Sequence, residues 1–347
     1  MVSNLVFRHT DRTSHRTLRV ESEPVPAIGP NDVLVEIRGV TLNYRDTIVA
    51  NDTYPFPVKD NLVPCSDGAG VVVKIGDAVE DLQLGDRVVA NFDVSNMYGP
   101  QNDAIHSLGG YLDGMLRQYI ALPAQVLTKV PEECNLSFVQ MASLVASGVT
   151  AWNALFGSVP LKPGQTVLLQ GTGGVSIIGL QIAKAAGAVT IITSSSDEKL
   201  KFVKEQFGAD HTINYKTTPN WAAEANKITR GRGVDFILEN GGSGTIKQSI
   251  EACTSGGMIA VIGFLSPAKQ EDMPDVAGLV LGKGCFIRGI AVGSQQLLRD
   301  LVRFVSNKNI QPCVQKTFGF SHHEVIAAFD YLQAGSHIGK VGIEVEH

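Results

Sequence analysis

The sequence has no apolar run of about 18 residues, the length that a membrane-spanning helix needs, so no membrane span is predicted. Its first eleven residues also lack the apolar core of a signal peptide. The five cysteines are scattered and never form a Cys-x-x-Cys pair, which argues against a disulfide framework. Because unpaired cysteines are typical of a reducing compartment, we expect a cytoplasmic protein.

The chain has no surplus of positive charge either. Its 29 basic and 34 acidic residues give a net charge of −5, and no local basic cluster stands out. Nucleic acids and anionic membranes attract proteins through such clusters, so neither is expected as a partner. With 347 residues and a hydrophobic content of 44%, the chain is long and apolar enough for two globular domains.

What is present is one stretch, residues 166–187, that combines a strand, a glycine turn and a helix. A short apolar run typical of a buried parallel strand is followed by Gly171, Gly173 and Gly174 and then by helical spacing. This arrangement directs backbone N–H groups and the positive end of the helix at a pyrophosphate, and glycines permit its close approach. Although Ser176 replaces the usual third glycine, the context predicts dinucleotide binding.

The rest of the chain is organised around that stretch as an α/β protein. Residues 1–128 are rich in short strands punctuated by proline and glycine, as in a small barrel-like β domain. Residues 129–294 alternate strands and helices, and six strand candidates match a doubly wound domain. Residues 295–347 are expected to return to the first domain. The last strand candidate, 285–291, would lie at the sheet edge, and because an apolar edge strand can pair with another copy, we expect a homodimer.

Eight short motifs are spread along nearly the whole chain: Asn43–Asp46, Gly68–Val72, Gly85–Val88, Thr150–Trp152, Gly171–Ser176, Gly208–Tyr215, Ile262–Phe264 and Gly339–Lys340. In their order and spacing the chain resembles the medium-chain dehydrogenase/reductase superfamily. The resemblance implies a GroES-like β-barrel catalytic domain, residues 1–128 and 295–347, flanking a Rossmann cofactor-binding domain, residues 129–294. It also implies hydride transfer with a nicotinamide cofactor.

The branch of the superfamily follows from missing metal ligands. Zinc members carry a cysteine where Asn43 stands and a histidine where Ser66 stands, and residues 145–147 offer no further ligand. A catalytic zinc needs about three protein ligands, whereas Cys65 and Asp67 would supply only two. No metal is therefore expected, and the chain looks most like the zinc-free quinone oxidoreductase branch, which reduces quinones or enones with NADPH.

The choice of coenzyme depends on the end of the second Rossmann strand. NAD enzymes place a carboxylate about 20 residues beyond the glycine turn, and here that place holds none. The resemblance implies that the 2′-phosphate of NADPH is held by Ser194 or Ser195, Lys199 and Tyr215. Each could instead be structural, as a helix cap, a solvated helix face or a packing residue. Asp197 could be a displaced acidic reader, but its carboxylate also suits the start of a helix. We expect NADPH.

Further coenzyme contacts are implied by the same resemblance. They come from the glycine turn, from the loops after the fourth and fifth strands, whose ends face the cofactor crevice, and from two outlying positions. The set is Thr150, Gly171, Thr172, Gly173, Gly174, Val175, Asn240, Gly241, Gly263, Phe264, Leu265 and Lys340.

Without a metal, another group must stabilise the oxyanion that forms when hydride arrives, a contribution of roughly 3 kcal/mol for one preorganised donor. The candidates are the Asn43 amide and the Tyr54 hydroxyl, which could also act as an acid. Both match positions that line the nicotinamide in quinone oxidoreductases, although loop structure would explain either one. Asp46 is kept as a third catalytic candidate, but with Arg45 it is better interpreted as an ion pair or loop brace.

Three functions remain open on these grounds. We favour a zinc-independent NADPH-dependent oxidoreductase that transfers hydride to a small-molecule quinone or α,β-unsaturated carbonyl compound. An NADPH-dependent carbonyl reductase or alcohol dehydrogenase would use the same residues on a simple C=O group. A non-catalytic NADPH-binding redox sensor would keep the coenzyme site and show no turnover.

Overall fold

The computed structural model describes residues 3–99 and 106–347. The chain divides into two compact units, Met1–Val149 with Val292–His347 and Thr150–Ala291. None of the helices in the described part of the chain is both long enough and apolar enough to cross a membrane. The five cysteines are all free thiols.

The described residues form fifteen strands and ten α-helices. In chain order the strands are β1 (Ser3–His9), β2 (Leu18–Pro24), β3 (Asp32–Leu42), β4 (Asp67–Ile75), β5 (Arg87–Ala90), β6 (Tyr119–Pro123), β7 (Leu127–Lys129), β8 (Thr166–Gln170), β9 (Val189–Ser194), β10 (His211–Asn214), β11 (Val234–Glu239), β12 (Cys253–Val261), β13 (Phe286–Gly289), β14 (Val314–Phe318) and β15 (Lys340–Glu344). The helices are α1 (Tyr44–Ala50), α2 (Phe138–Ala142), α3 (Val149–Phe156), α4 (Gly174–Ala185), α5 (Asp197–Phe207), α6 (Trp221–Ile228), α7 (Ile246–Ala252), α8 (Val276–Lys283), α9 (Gln295–Lys308) and α10 (His322–Gln333).

The first unit is built on a seven-stranded sheet. Its strand order is β14-β15-β3-β4-β5-β7, with β6 also paired to β3, while β1 and β2 form a separate antiparallel ribbon. Val341 of β15 lies opposite Leu42 of β3, and Thr41 lies opposite Asp67 of β4. Val33, Val35 and Ile37 lie on one face of β3 and pack into a core that includes Phe7 and Phe329. This register places the end of β3 between the first residues of β15 and β4.

The second unit is built on a six-stranded sheet in which all neighbouring strands are parallel. Its strand order is β10-β9-β8-β11-β12-β13, the order of a doubly wound fold. Every residue of β11 is buried, as expected for a central parallel strand with helices packed on the sheet. The predicted six-stranded sheet is confirmed, and β13, which overlaps the last predicted strand, lies at its edge.

The segment that follows residue 128 contains two helices, α2 and α3, rather than one continuous helix. Ser137 caps α2, since its hydroxyl accepts from the Gln140 N–H and its own N–H donates to the Gln140 side chain at 3.0 Å. A wider π-type turn, Leu144–Gly148, then separates α2 from α3. Because α2 packs against β3 and β4, residues 129–149 lie with the first unit, whereas the sequence boundaries assign them to the cofactor-binding domain.

Candidate active site

A cluster of polar side chains lies where β15, β3 and β4 meet. Asn43 follows the last residue of β3, Lys340 is the first residue of β15 and Asp67 is the first residue of β4. Lys340 Nζ lies 2.6 Å from Asn43 Oδ1 and 3.1 Å from Asp67 Oδ2, and both charged side chains are buried. The strand register therefore joins three residues that are far apart in the sequence.

The Asp67 carboxylate is fixed by several donors besides Lys340. These donors are the Thr41 hydroxyl at 3.1 Å, the Ser66 hydroxyl at 2.8 Å and the backbone N–H of Ala146 at 3.2 Å. A buried carboxylate is tolerated when its oxygens are hydrogen-bonded and its charge is paired, and both conditions hold here. Asp67 is thus a rigid anchor for the lysine.

In the Asn43 side chain, the oxygen is hydrogen-bonded to the described residues and the nitrogen is not. Its Oδ1 accepts from Lys340 and, at 3.5 Å, from the Ser147 hydroxyl. Its Nδ2 is shielded from solvent and has no hydrogen-bond partner among the described residues. The backbone N–H of Asn43 donates to Asp46 Oδ2 at 2.7 Å, which fixes the start of α1. The amide therefore retains an N–H group that can donate a hydrogen bond to a carbonyl oxygen.

Asp46 and Arg45 do not form the expected ion pair with each other within residues 3–99 and 106–347. Arg45 instead donates to the Leu108 carbonyl and the Ser107 hydroxyl, both at 2.9 Å, and so braces the loop after residue 106. Asp46 is buried in α1, and this burial raises its pKa to about 6 despite the opposing effects of Arg45 and the Asn43 N–H. The loop-brace interpretation therefore fits Arg45, and Asp46 acts on the backbone of Asn43.

Tyr54 lies in the loop after α1 and is half-buried. The Arg45 guanidinium lies 5.1 Å from the centre of its ring, and the Phe56 ring packs edge-on at 5.4 Å. The Tyr54 hydroxyl makes no hydrogen bond to the described part of the chain. The ring is thus positioned by packing, and the hydroxyl is left for another partner.

In the second unit, the glycine turn links β8 to α4 as the sequence predicts. Gly171 has a φ of +77°, which favours glycine, and a Cβ at Gly171 or Gly173 would meet no atom of the described residues within 4 Å. Gly173 is the N-cap of α4, and no side chain in the described part of the chain caps this end. Thr172 is buried in the turn and Val175 is half-buried in the first turn of α4, which begins at Gly174. The uncapped N–H groups are suited to a pyrophosphate, so this turn fits a dinucleotide.

A buried polar network holds the turn in place. Gln170 Nε2 donates to Glu239 Oε2 at 2.7 Å, and Gln170 Oε1 accepts from the N–H groups of Asn240 and Gly241. The Ser176 hydroxyl donates to the Gln170 carbonyl at 2.7 Å and accepts from the Asn240 amide. The sequence reasoning missed Gln170 and Glu239; their signal was a polar residue at the end of each apolar strand, β8 and β11.

The loops after β11 and β12 come together as expected. The Leu265 N–H donates to the Asn240 carbonyl at 3.1 Å. Gly263 is required here because a Cβ would lie 2.6 Å from the same Asn240 carbonyl. The Phe264 and Leu265 side chains are exposed. The Gly241 carbonyl accepts a hydrogen bond from the N–H of Ser266, the next residue in the same loop, so Gly241 lies beside them. The predicted residues of these two loops therefore form one surface at the carboxyl end of the sheet.

The predicted phosphate-binding residues also lie at that end of the sheet. Ser194 ends β9, and its carbonyl accepts from the backbone N–H of Tyr215 at 3.1 Å, so these two residues are neighbours. Tyr215 is exposed, Ser195 is half-buried and Lys199 lies in the first turn of α5. Burial lowers the pKa of Lys199.

Asp197, the alternative acidic reader, is engaged in the fold. It begins α5, where a carboxylate suits the helix dipole, and its Oδ1 accepts from the Asn214 amide at 2.8 Å. Thr150, the remaining residue of the predicted coenzyme set, is buried in α3.

Comparisons with known proteins identify the family. An alcohol dehydrogenase GroES-like domain model matches residues 29–132, and a zinc-binding dehydrogenase model matches residues 174–307. A zinc-type alcohol dehydrogenase-like protein of Schizosaccharomyces pombe is 44% identical over 344 residues, 97% of this chain and 98% of the relative. The chain belongs to the medium-chain dehydrogenase/reductase superfamily. It is an NAD(P)-dependent oxidoreductase with a GroES-like domain and a Rossmann sheet, which confirms the predicted fold class.

Solved structures of this superfamily are closely similar. A provisionally assigned alcohol dehydrogenase from Sinorhizobium meliloti 1021 is 35% identical with a TM-score of 0.90, and 99% of each chain is covered. An NAD-dependent alcohol dehydrogenase is 30% identical with a TM-score of 0.87, covering 99% of this chain and 100% of that one.

A zinc ion is implied by the superfamily and by the name of the matching zinc-binding dehydrogenase family, but the side chains present do not fit this metal. Asn43, Ser66 and Ser147 would offer an amide and two hydroxyls, whereas zinc takes thiolate, imidazole or carboxylate ligands. The Asp67 carboxylate is already paired with Lys340. Burial raises the pKa of the Cys65 thiol well above its usual value, which disfavours a thiolate. Among the described residues no group of three His, Cys, Asp or Glu side chains is placed to hold a metal.

Proposed function

We propose that the chain is a zinc-independent, NADPH-dependent reductase of quinones or α,β-unsaturated carbonyl compounds. The observation that supports this most is the Asn43 amide, whose Oδ1 is bound by Lys340 and whose Nδ2 has no partner among the described residues. Such a donor suits the carbonyl oxygen on which negative charge develops as hydride arrives. NADPH, when bound, supplies that hydride.

The chemistry of the acceptor favours conjugated substrates. Hydride addition to a quinone or to the β carbon of an enone leaves an anion delocalised over oxygen and carbon. Reduction of a simple ketone leaves a localised alkoxide, a far stronger base, for which zinc members use their metal. A neutral amide donor is better matched to the delocalised anion. One proton completes the reduction, and the Tyr54 hydroxyl or water is its proposed source.

The preference for NADPH rests on the residues at the end of β9. Ser194 or Ser195, Lys199 and Tyr215 offer hydroxyl and ammonium donors to a 2′-phosphate. The nearby carboxylate of Asp197 is hydrogen-bonded to Asn214, so it is less available to read a ribose 2′-hydroxyl. The competing choice is NADH, which the name of one similar structure suggests.

A second candidate, alcohol dehydrogenase or carbonyl reductase, is favoured by the names of the relatives. The test measures coenzyme oxidation with NADPH and NADH on a simple quinone, an aryl enone and an unconjugated ketone, with the protein's metal content determined on the same sample. We expect turnover of the first two with NADPH in metal-free protein. Turnover of the ketone alone, or stoichiometric zinc required for activity, would overturn the proposal. Tight NADPH binding without any turnover would indicate the redox sensor.

A further inference from the structure

We infer that Lys340 is a positioning residue, whose ammonium holds the Asn43 amide in the orientation that presents Nδ2 to the substrate oxygen. This rests on the proposed function. It also gives Lys340 a role different from the coenzyme contact implied by the resemblance. The ammonium never touches the reacting atoms in this arrangement and acts through Asn43.

The orientation of the amide follows from the chemistry of its neighbour. An ammonium group only donates hydrogen bonds, so the Asn43 atom that lies 2.6 Å from Lys340 Nζ must be the oxygen. An amide turned by 180° would set its NH₂ group against three ammonium donors. The Ser147 hydroxyl at 3.5 Å adds a weaker bond to the same oxygen. Nδ2 is therefore the atom whose hydrogen bonds are left unmade among the described residues.

Lys340 can impose this orientation because it is itself fixed. It is buried, it begins β15 opposite the end of β3, and its second bond goes to the fully buried Asp67. Asp67 in turn is held by the Thr41 hydroxyl on β3, by the Ser66 hydroxyl just before β4 and by the backbone N–H of Ala146. A positive charge beside the amide oxygen also polarises the amide, which makes its N–H groups stronger donors. The chain Asp67–Lys340–Asn43 thus couples a rigid anchor to a catalytic donor.

The test is a double-variant cycle of Lys340→Met and Asn43→Ala, with kcat for a quinone and the Kd for NADPH measured on each protein. Lys340→Met alone is expected to lower kcat by about ten- to a hundredfold, because an oriented donor is lost. In the Asn43→Ala background the same substitution should lower kcat by less than about twofold, since its target is gone. The Kd for NADPH should stay within about twofold throughout. Lys316→Met, which removes an exposed lysine on the neighbouring strand β14, is the control.

Two outcomes would overturn the inference. Losses in kcat that multiply in the double variant would show that Lys340 acts independently of Asn43. A raised Kd for NADPH with unchanged kcat would make Lys340 a coenzyme contact. If Lys340→Met fails to fold because Asp67 is left unpaired, Lys340→Met with Asp67→Asn removes both charges and is used in the same cycle.

A failure of the proposed function is distinguished by a readout that needs no turnover. The Asn43 side-chain amide protons, assigned by their loss in Asn43→Asp, are followed by NMR. If Lys340 polarises the amide, these resonances shift in Lys340→Met and are restored toward the wild-type position in Lys340→Arg. Unchanged resonances in Lys340→Met would overturn the inference even if quinones are reduced. Shifted resonances without quinone or enone turnover would support it while the proposed function fails.

Discussion

Asp46 shows how one buried carboxyl group can make the fold sensitive to pH. Burial raises its pKa from 3.8 to about 6, and Oδ1 has no hydrogen-bond partner among the described residues. Between these two pKa values the folded state keeps a proton that the unfolded state releases. The free energy of unfolding is therefore highest on the acid side and falls as the pH rises to about 6, by about 3 kcal/mol in total.

The substitution Asp46→Asn should remove this dependence. Asparagine can still accept the hydrogen bond from the Asn43 N–H, but it carries no charge at any pH. We expect the variant to match the wild type near pH 3 and to be more stable by about 3 kcal/mol at pH 8, measured by urea unfolding. Asp77→Asn, at an exposed turn, is the control and should change neither value. A wild-type stability equal to that of the variant at pH 8 would contradict the assignment.

Tyr54 offers a second test at the scale of one residue. If its hydroxyl donates the proton or binds the carbonyl oxygen, Tyr54→Phe should lower kcat for a quinone by at least about tenfold. The thermal midpoint should hardly change, because the ring contacts with Arg45 and Phe56 are retained and the hydroxyl has no bond to the described residues. Tyr331→Phe, on α10, is the control. An unchanged kcat would leave Tyr54 with a packing role.

At the scale of elements, the sequence reveals individual motifs better than their partners. The glycine turn, the six parallel strands and the loops after β11 and β12 are predictable, because each follows from local periodicity and turn chemistry. Asn43 and Lys340 can be proposed separately, but they are 297 positions apart, and only the pairing of β15 with β3 joins them. Local sequence patterns do not encode the register between two distant strands. They also do not encode the π-type turn that follows α2.

The element that we propose selects the coenzyme is the start of α5. If Lys199 binds the 2′-phosphate, Lys199→Ala should raise the KM for NADPH by about tenfold and leave the KM for NADH unchanged, because only NADPH carries that charge. The matched control is Lys201→Ala, an exposed lysine of the same helix. Steady-state kinetics with both coenzymes decide the matter. An equal change for the two coenzymes would place Lys199 outside the phosphate site.

At the scale of the whole molecule, residues 3–99 and 106–347 leave an apolar edge of the second unit uncovered. Among the described residues β13 pairs only with β12, and α8 contains no buried residue although it is mostly aliphatic. Leu281 of α8 is 85% exposed and Phe286 of β13 is 58% exposed. Exposed apolar side chains near an unpaired strand edge are typical of an interface between subunits. We propose that a second copy of the chain covers it, with the two β13 strands paired.

The proposed dimer can be tested by light scattering coupled to size-exclusion chromatography. The wild type should elute at twice the chain mass of 37.1 kDa. Leu281→Asp combined with Phe286→Lys should give the monomer, because pairing would bury both charges against their copies in an apolar surface. Leu84→Asp introduces a charge at an exposed leucine of the first unit and should leave the mass unchanged. If the wild type is a monomer at micromolar concentration, or if the double variant remains a dimer, this edge of the sheet is not the interface.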